Sequence, residues 1–216
     1  MALFQEGSSA VTTHMMKKSA RLLGIAAALA CASAAHSATT VYTAALSGPA
    51  ESPPNASAGT GTATVTIDDV ANTMLVEVNF SGLTGTTTAS HIHATTALGF
   101  TGTAGVATQL PTFSGFPLGV TSGTYSNLFD LLTAATYNPS FVTANGGTVA
   151  GAESALLSAI GSGRAYLNIH TTAFPSGEIR GFLVAVPEPA TWMMMLLGFA
   201  GMGLVIRFRR PSLARV

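Results

Sequence analysis

An all-β domain, either a Greek-key β-sandwich or a barrel-like sheet with one short helix, is predicted by three observations. Threonine, valine and glycine dominate the middle of the chain, apolar residues there recur mostly at every second position, and glycine- or proline-rich turns break the pattern at short intervals. Thr40–Leu46 reads as a first strand, and Ser47–Gly59, rich in Pro, Gly, Ser and Ala, as a loop. Gly61–Ile67 alternates cleanly, Asp68–Asn72 is a solvated turn and Met74–Phe80 alternates again, so 61–80 is a hairpin. Ser90–Thr95 is short and extended. A glycine-rich loop over Gly99–Gly105 precedes a strand near Val106–Leu110, and Gly123–Leu131 is a further strand. Asn138–Ala144 reads as a helical turn and Gly151–Ile160 as the clear helix, with Glu153 near its positive end and Leu156, Leu157 and Ile160 on its apolar face. Two last strands, Arg164–His170 and Glu178–Ala185, flank a loop. No internal repeat is visible.

Both ends of the chain are of another kind. Lys17, Lys18 and Arg21 precede an apolar run, Leu22–Ala35, and small residues follow at Ala35 and Ser37. That order of basic, apolar and cleavage regions is a secretory signal helix, engaging the secretion translocon and signal peptidase, with cleavage expected after Ser37. Met15 and Met16 are alternative starts. At the other end Pro187-Glu188-Pro189 leads into Ala190–Ile206, which has no charge and no proline, and then Arg207, Arg209 and Arg210. Seventeen helical residues reach roughly 26 Å, the short end for an inner-membrane span. Trp192 suits the headgroup level, and the arginines mark a cytoplasmic end. The expected organisation is 1–37 leader, 38–185 β domain and 186–216 C-terminal targeting segment.

The ends distort the composition. The whole chain carries nine basic and nine acidic residues. Between 38 and 186 only Arg164 and Arg180 stand against seven acids, Glu51, Asp68, Asp69, Glu77, Asp130, Glu153 and Glu178, a formal charge of −5. Such a domain has no electrostatic footprint for nucleic acid. The single cysteine, Cys31, lies in the leader, so the exported domain has neither disulfide nor thiolate chemistry.

The domain's three histidines fall in Ser90-His91-Ile92-His93 and Tyr166-Leu-Asn168-Ile-His170. Alternate strand residues share a face. His91 and His93 therefore point together, as do Tyr166, Asn168 and His170, and as do Glu178 and Arg180. A hairpin aligning His170 with Glu178 sets Asn168 against Arg180. Two readings stay open: a hydrogen-bonded structural network, or a Zn²⁺ or Cu²⁺ site of His91, His93, His170 and Glu178 supported by Tyr166, Asn168 and Arg180. No hydrolase, phosphate-loop, dinucleotide or zinc-protease motif is present, so no catalytic residue is assigned.

Two resemblances follow from these motifs. Val-Pro-Glu-Pro-Ala-Thr-Trp, the apolar helix and Arg-Phe-Arg-Arg resemble a PEP-CTERM sorting signal, which implies an inner-membrane intermediate, recognition of the Pro-Glu-Pro motif by an exosortase, and delivery to the cell envelope or extracellular matrix. Glu51-Ser-Pro-Pro, Ser-His-Ile-His and the Tyr166–Gly181 block resemble the CHRD domain over about Val41 to Leu183. That family implies an all-β fold and a non-enzymatic role in binding or assembly, with exopolysaccharide or envelope components as partners. Ala94 stands where the family often has glycine after His-x-His. The alternative expectation is a metal-dependent enzyme of superoxide dismutase type, an analogy of fold alone.

Overall fold

The computed structural model describes residues 39–187 and 189–208; the leader 1–37, Glu188, Arg209 and Arg210 lie outside the described residues. Among the described residues eight strands form one antiparallel sheet: β1 Thr39–Ser47, β2 Thr60–Asp68, β3 Thr73–Ser81, β4 Thr87–Ala94, β5 Gly123–Asp130, β6 Ala165–Thr171, β7 Ile179–Phe182 and β8 Val184–Ala185. Their order is β4-β6-β7-β1-β2-β3-β5, with β8 also on β1, and the sheet curls into a half-barrel. Helices α1 Pro139–Ala144, α2 Val149–Gly161 and α3 Pro189–Phe208, with two 3-10 turns at Gly48–Ala50 and Ala134–Thr136, complete the described elements.

The local chemistry explains the boundaries. At the β2–β3 turn the Asp68 carboxylate accepts the amides of Val70 and Ala71, and Asn72 adopts φ 52°, a conformation asparagine tolerates better than most residues. Asn138 caps α1 by accepting from the Ser140 amide, with Pro139 in the first turn. Thr148 caps α2 by accepting from Gly151. That helix therefore begins two residues before the predicted start, and Glu153 falls beyond its first turn.

Alternation places Ala63, Val65 and Ile67 of β2, and Met74, Val76, Val78 and Phe80 of β3, inside. Phe113, Phe116, Tyr125 and Phe129 pack beneath them, with centroids 5.3–5.8 Å apart. Leu156 and Ile160 of α2 are fully buried, while Leu157 is half-buried.

Three expectations are corrected. Val106–Leu110 is no strand: it makes single bridges, Val106 to His93 and Thr108 to Tyr137, and lies along the outer edge of β4. The predicted strand Glu178–Ala185 is interrupted at Leu183, whose buried side chain and whose amide bond to Ala165 hold it off the ladder. The segment Ser90–Thr95 is extended as expected over Ser90–Ala94, but its strand is longer, starting at Thr87, and is almost wholly buried.

In α3, Met193, Met195, Leu196, Leu197, Phe199 and Met202 are all exposed. Among the described residues no helix is long and apolar enough to cross a membrane; the predicted span Ala190–Ile206 includes side chains outside that description.

Candidate functional site

β4 and β6 pair so that His91 faces Asn168 and His93 faces Tyr166, while Ile92 and Leu167 enter the core. β6 and β7 pair with Asn168 against Arg180, the expected register. The histidines therefore gather as the alternation requires: ring centroids lie 5.8 Å apart for His91 and His93, 5.3 Å for His91 and His170, and 5.6 Å for His93 and His170. One ring nitrogen from each lies within 4.8 Å of the others.

Each ring is fixed by one backbone carbonyl. His91 Nε2 is 2.7 Å from the Pro111 oxygen, His93 Nδ1 is 2.9 Å from that of Ala104, and His170 Nδ1 is 2.9 Å from that of Pro175. A carbonyl only accepts, so each of these nitrogens carries its proton and donates. The remaining nitrogens, His91 Nδ1, His93 Nε2 and His170 Nε2, are buried lone pairs without a partner in the protein. Burial lowers all three pKa values; that of His93 falls to about 4, with the neighbouring histidines and Arg180 adding to the effect against the Ala104 bond. At neutral pH the three rings are uncharged.

Behind the histidines runs a stacked series. The Tyr166 ring lies face to face with His93, centroids 4.9 Å apart and planes within 7°. Its hydroxyl donates to the Ala104 carbonyl, the acceptor His93 also uses. The Arg180 guanidinium sits 4.7 Å above the Tyr166 ring, donates to the Ala50 and Gly102 carbonyls, and approaches the Glu51 carboxylate at 3.8 Å. Burial lifts the Glu51 pKa to about 7 against the pull of Arg180. Glu51 Oε1 and Asn168 Oδ1 both face Gly177, at φ 133°, where a Cβ would lie 2.7 Å from either oxygen.

Glu178 does not join the histidines. Its carboxylate accepts from the Ser57 and Thr171 hydroxyls and the Thr84 and Gly85 amides. Its own amide bonds to the Ile169 carbonyl, although Ile169 already pairs with Ile179. Two residues of one strand thus meet one of the other, as in a bulge, and His170 is not set opposite Glu178. Burial works against the Glu178 charge, but the four donors outweigh it and the pKa is lowered. Sequence reasoning missed the carbonyls of Ala104, Pro111 and Pro175; every residue carries one, so no side-chain pattern marks them.

A family model of the CHRD domain matches residues 42–183. The chain belongs to the CHRD-domain family. A second model, the PEP-CTERM protein-sorting motif, matches residues 185–210. Together they mark an exosortase-targeted exported protein carrying a CHRD domain. No curated protein and no solved structure matches the chain. The CHRD match spans β1 to Leu183 and so contains all three histidines, Glu51, Glu178 and Arg180.

Proposed function

We propose that this CHRD-domain protein is cargo for release: exported under its leader, held in the inner membrane by Ala190–Ile206 with Arg207, Arg209 and Arg210 in the cytoplasm, and freed by an exosortase acting at Pro187-Glu188-Pro189. The released domain serves in the envelope or extracellular matrix by binding or assembly, not catalysis. One observation carries the reading. The last ladder bond of the domain runs from the Val186 amide to the Val41 carbonyl at 2.8 Å, one residue before Pro187. A cut at the motif therefore removes no strand and no core side chain. The exposed apolar side chains of α3 support a helix meant for an apolar medium.

Mass spectrometry of the extracellular form tests the release. The expected C-terminus lies near Pro187–Ala190; secreted chains retaining Arg210 would overturn it. A superoxide dismutation assay on the full chain loaded with copper and zinc tests the binding role. The expected rate equals that of the His91→Ala variant, and turnover clearly above that level would replace binding with catalysis.

A further inference from the structure

We infer that His91, His93 and His170 form a binding site for one divalent transition-metal ion of the zinc and copper class. The inference rests on the binding role proposed above and names its ligand. The three nitrogens left over after each ring has bonded its carbonyl are all buried and all unpartnered. A buried polar atom without a partner is costly. A purely structural histidine network would spend these lone pairs on Asn168, Thr171 or Arg180. None of those residues bonds a histidine: Thr171 is committed to Glu178, and Arg180 to Ala50 and Gly102.

What converges instead is three acceptors and no donor. An acceptor set of that kind is matched by a cation. The carbonyls of Pro111, Ala104 and Pro175 supply the outer hydrogen bonds that metal-bound histidines ordinarily have, fixing tautomer and ring orientation in advance. The rings are spaced on the right scale. Tetrahedral ligation with zinc–nitrogen bonds of about 2.05 Å needs nitrogens about 3.3 Å apart, and one nitrogen of each ring lies within 4.8 Å of the others before any ion draws them in.

The donor set selects the ion. Oxygen-seeking cations such as calcium and magnesium are held by oxygen ligands, whereas the atoms that converge here are ring nitrogens, and the buried carboxylates are engaged elsewhere, Glu178 among its four donors and Glu51 beside Arg180. Three neutral imidazoles favour Cu²⁺ and Zn²⁺, copper more strongly. Three protein ligands leave a fourth position to solvent or an external anion. His170, the least buried of the three, gives the approach from outside.

The test titrates the full-length protein in detergent with ZnCl₂ and CuCl₂ by calorimetry at pH 7.5. One ion per chain is expected, with affinity at least about 100-fold weaker in His93→Phe and in His170→Gln, each checked for native near-ultraviolet circular dichroism. Electron paramagnetic resonance of the copper-loaded wild type needs no variant and is expected to show coupling to three ring nitrogens. Absence of stoichiometric binding, coupling to one nitrogen or none, or unchanged affinity in both folded variants would overturn the site. These readings are separate from the processed C-terminus and from the dismutation rate, so failure of the metal site leaves release and binding role standing, and their failure leaves the metal site standing.

Discussion

Two buried polar centres meet at β6, one shared with β4 and one with the chain just before β7, and they are built on opposite plans. At Glu178 one carboxylate receives four donors from three separate segments, 57, 84–85 and 171. At the histidines three rings each make one bond to a carbonyl and turn a bare lone pair inward. Both contain the residue types that sequence inspection would group into one metal site. The difference is in what is left over. Around Glu178 nothing remains to be bonded, so the group is a structural tie. Around the histidines three acceptors remain, so the group is completed only from outside. Buried polar atoms in a folded domain are nearly all paired; Glu51 Oε1 and Asn168 Oδ1 are also unpartnered, beside Gly177, but only the histidine nitrogens gather as three lone pairs from three rings, and that convergence, not the residue names, is the signature of a ligand site.

The sharpest way to break the comparison is Glu178→Ala. It strands two amides and two hydroxyls and removes the tie between the Ser57 loop, the Thr84–Gly85 turn and β6. The expected cost is about 3–5 kcal/mol, read as a fall in the urea midpoint of the full chain. Metal affinity of the protein that remains folded is expected to hold within about threefold. A cost below about 1 kcal/mol, or a loss of metal binding equal to that of His93→Phe, would merge the two centres into one.

Much of this is legible in the sequence. Strict alternation in 61–67, 74–80, 91–93 and 166–170 fixes which side chains share a face, and that was enough to bring the histidines together and to set Asn168 against Arg180. The separation of Glu178 was not legible, because it depends on a bulge: Glu178 and Ile179 both meet Ile169, and a one-residue break in register sends a side chain to different neighbours. Nor was the role of 104–113. That segment covers the edge of β4 through isolated bonds such as Ala94 to Gly105 and Phe113 to Ser90. Its carbonyls, which fix the His91 and His93 rings, leave no trace in residue type, and the Thr108 and Thr112 hydroxyls that bond Ile92 and Ser90 lie in no periodic pattern. The two ends were read from order alone, since basic, apolar and small-residue regions have a fixed sequence in each signal, and the C-terminal match over 185–210 agrees.

The smallest expected effect is also the most discriminating. His93→Phe replaces a ring of similar shape on the Tyr166 face, where the stacking distance of 4.9 Å suits an aromatic pair. The Ala104 carbonyl keeps its bond from the Tyr166 hydroxyl. What disappears is the Nδ1 bond to that carbonyl and one buried lone pair with no partner, two changes of opposite sign, so without metal the variant is expected to match the wild type within about 1 kcal/mol at pH 7.5. Acid then separates them. The folded His93 pKa, about 4, lies below the ordinary 6.5. Between those values the unfolded chain binds the proton and the folded one does not, so wild-type stability is lost as pH falls from 6.5 towards 4. Phenylalanine has no proton to bind, and the variant's advantage widens across that window. Glu51, raised to about 7, acts in the opposite sense between 4.5 and 7, favouring the folded state on acidification, but it is present in both proteins and cancels in their difference. Urea midpoints of the two metal-free chains from pH 7.5 to 4.5 give the measurement. A histidine valued for its hydrogen bonds would make the variant less stable at every pH; one kept for a ligand leaves it equal when neutral and more stable in acid.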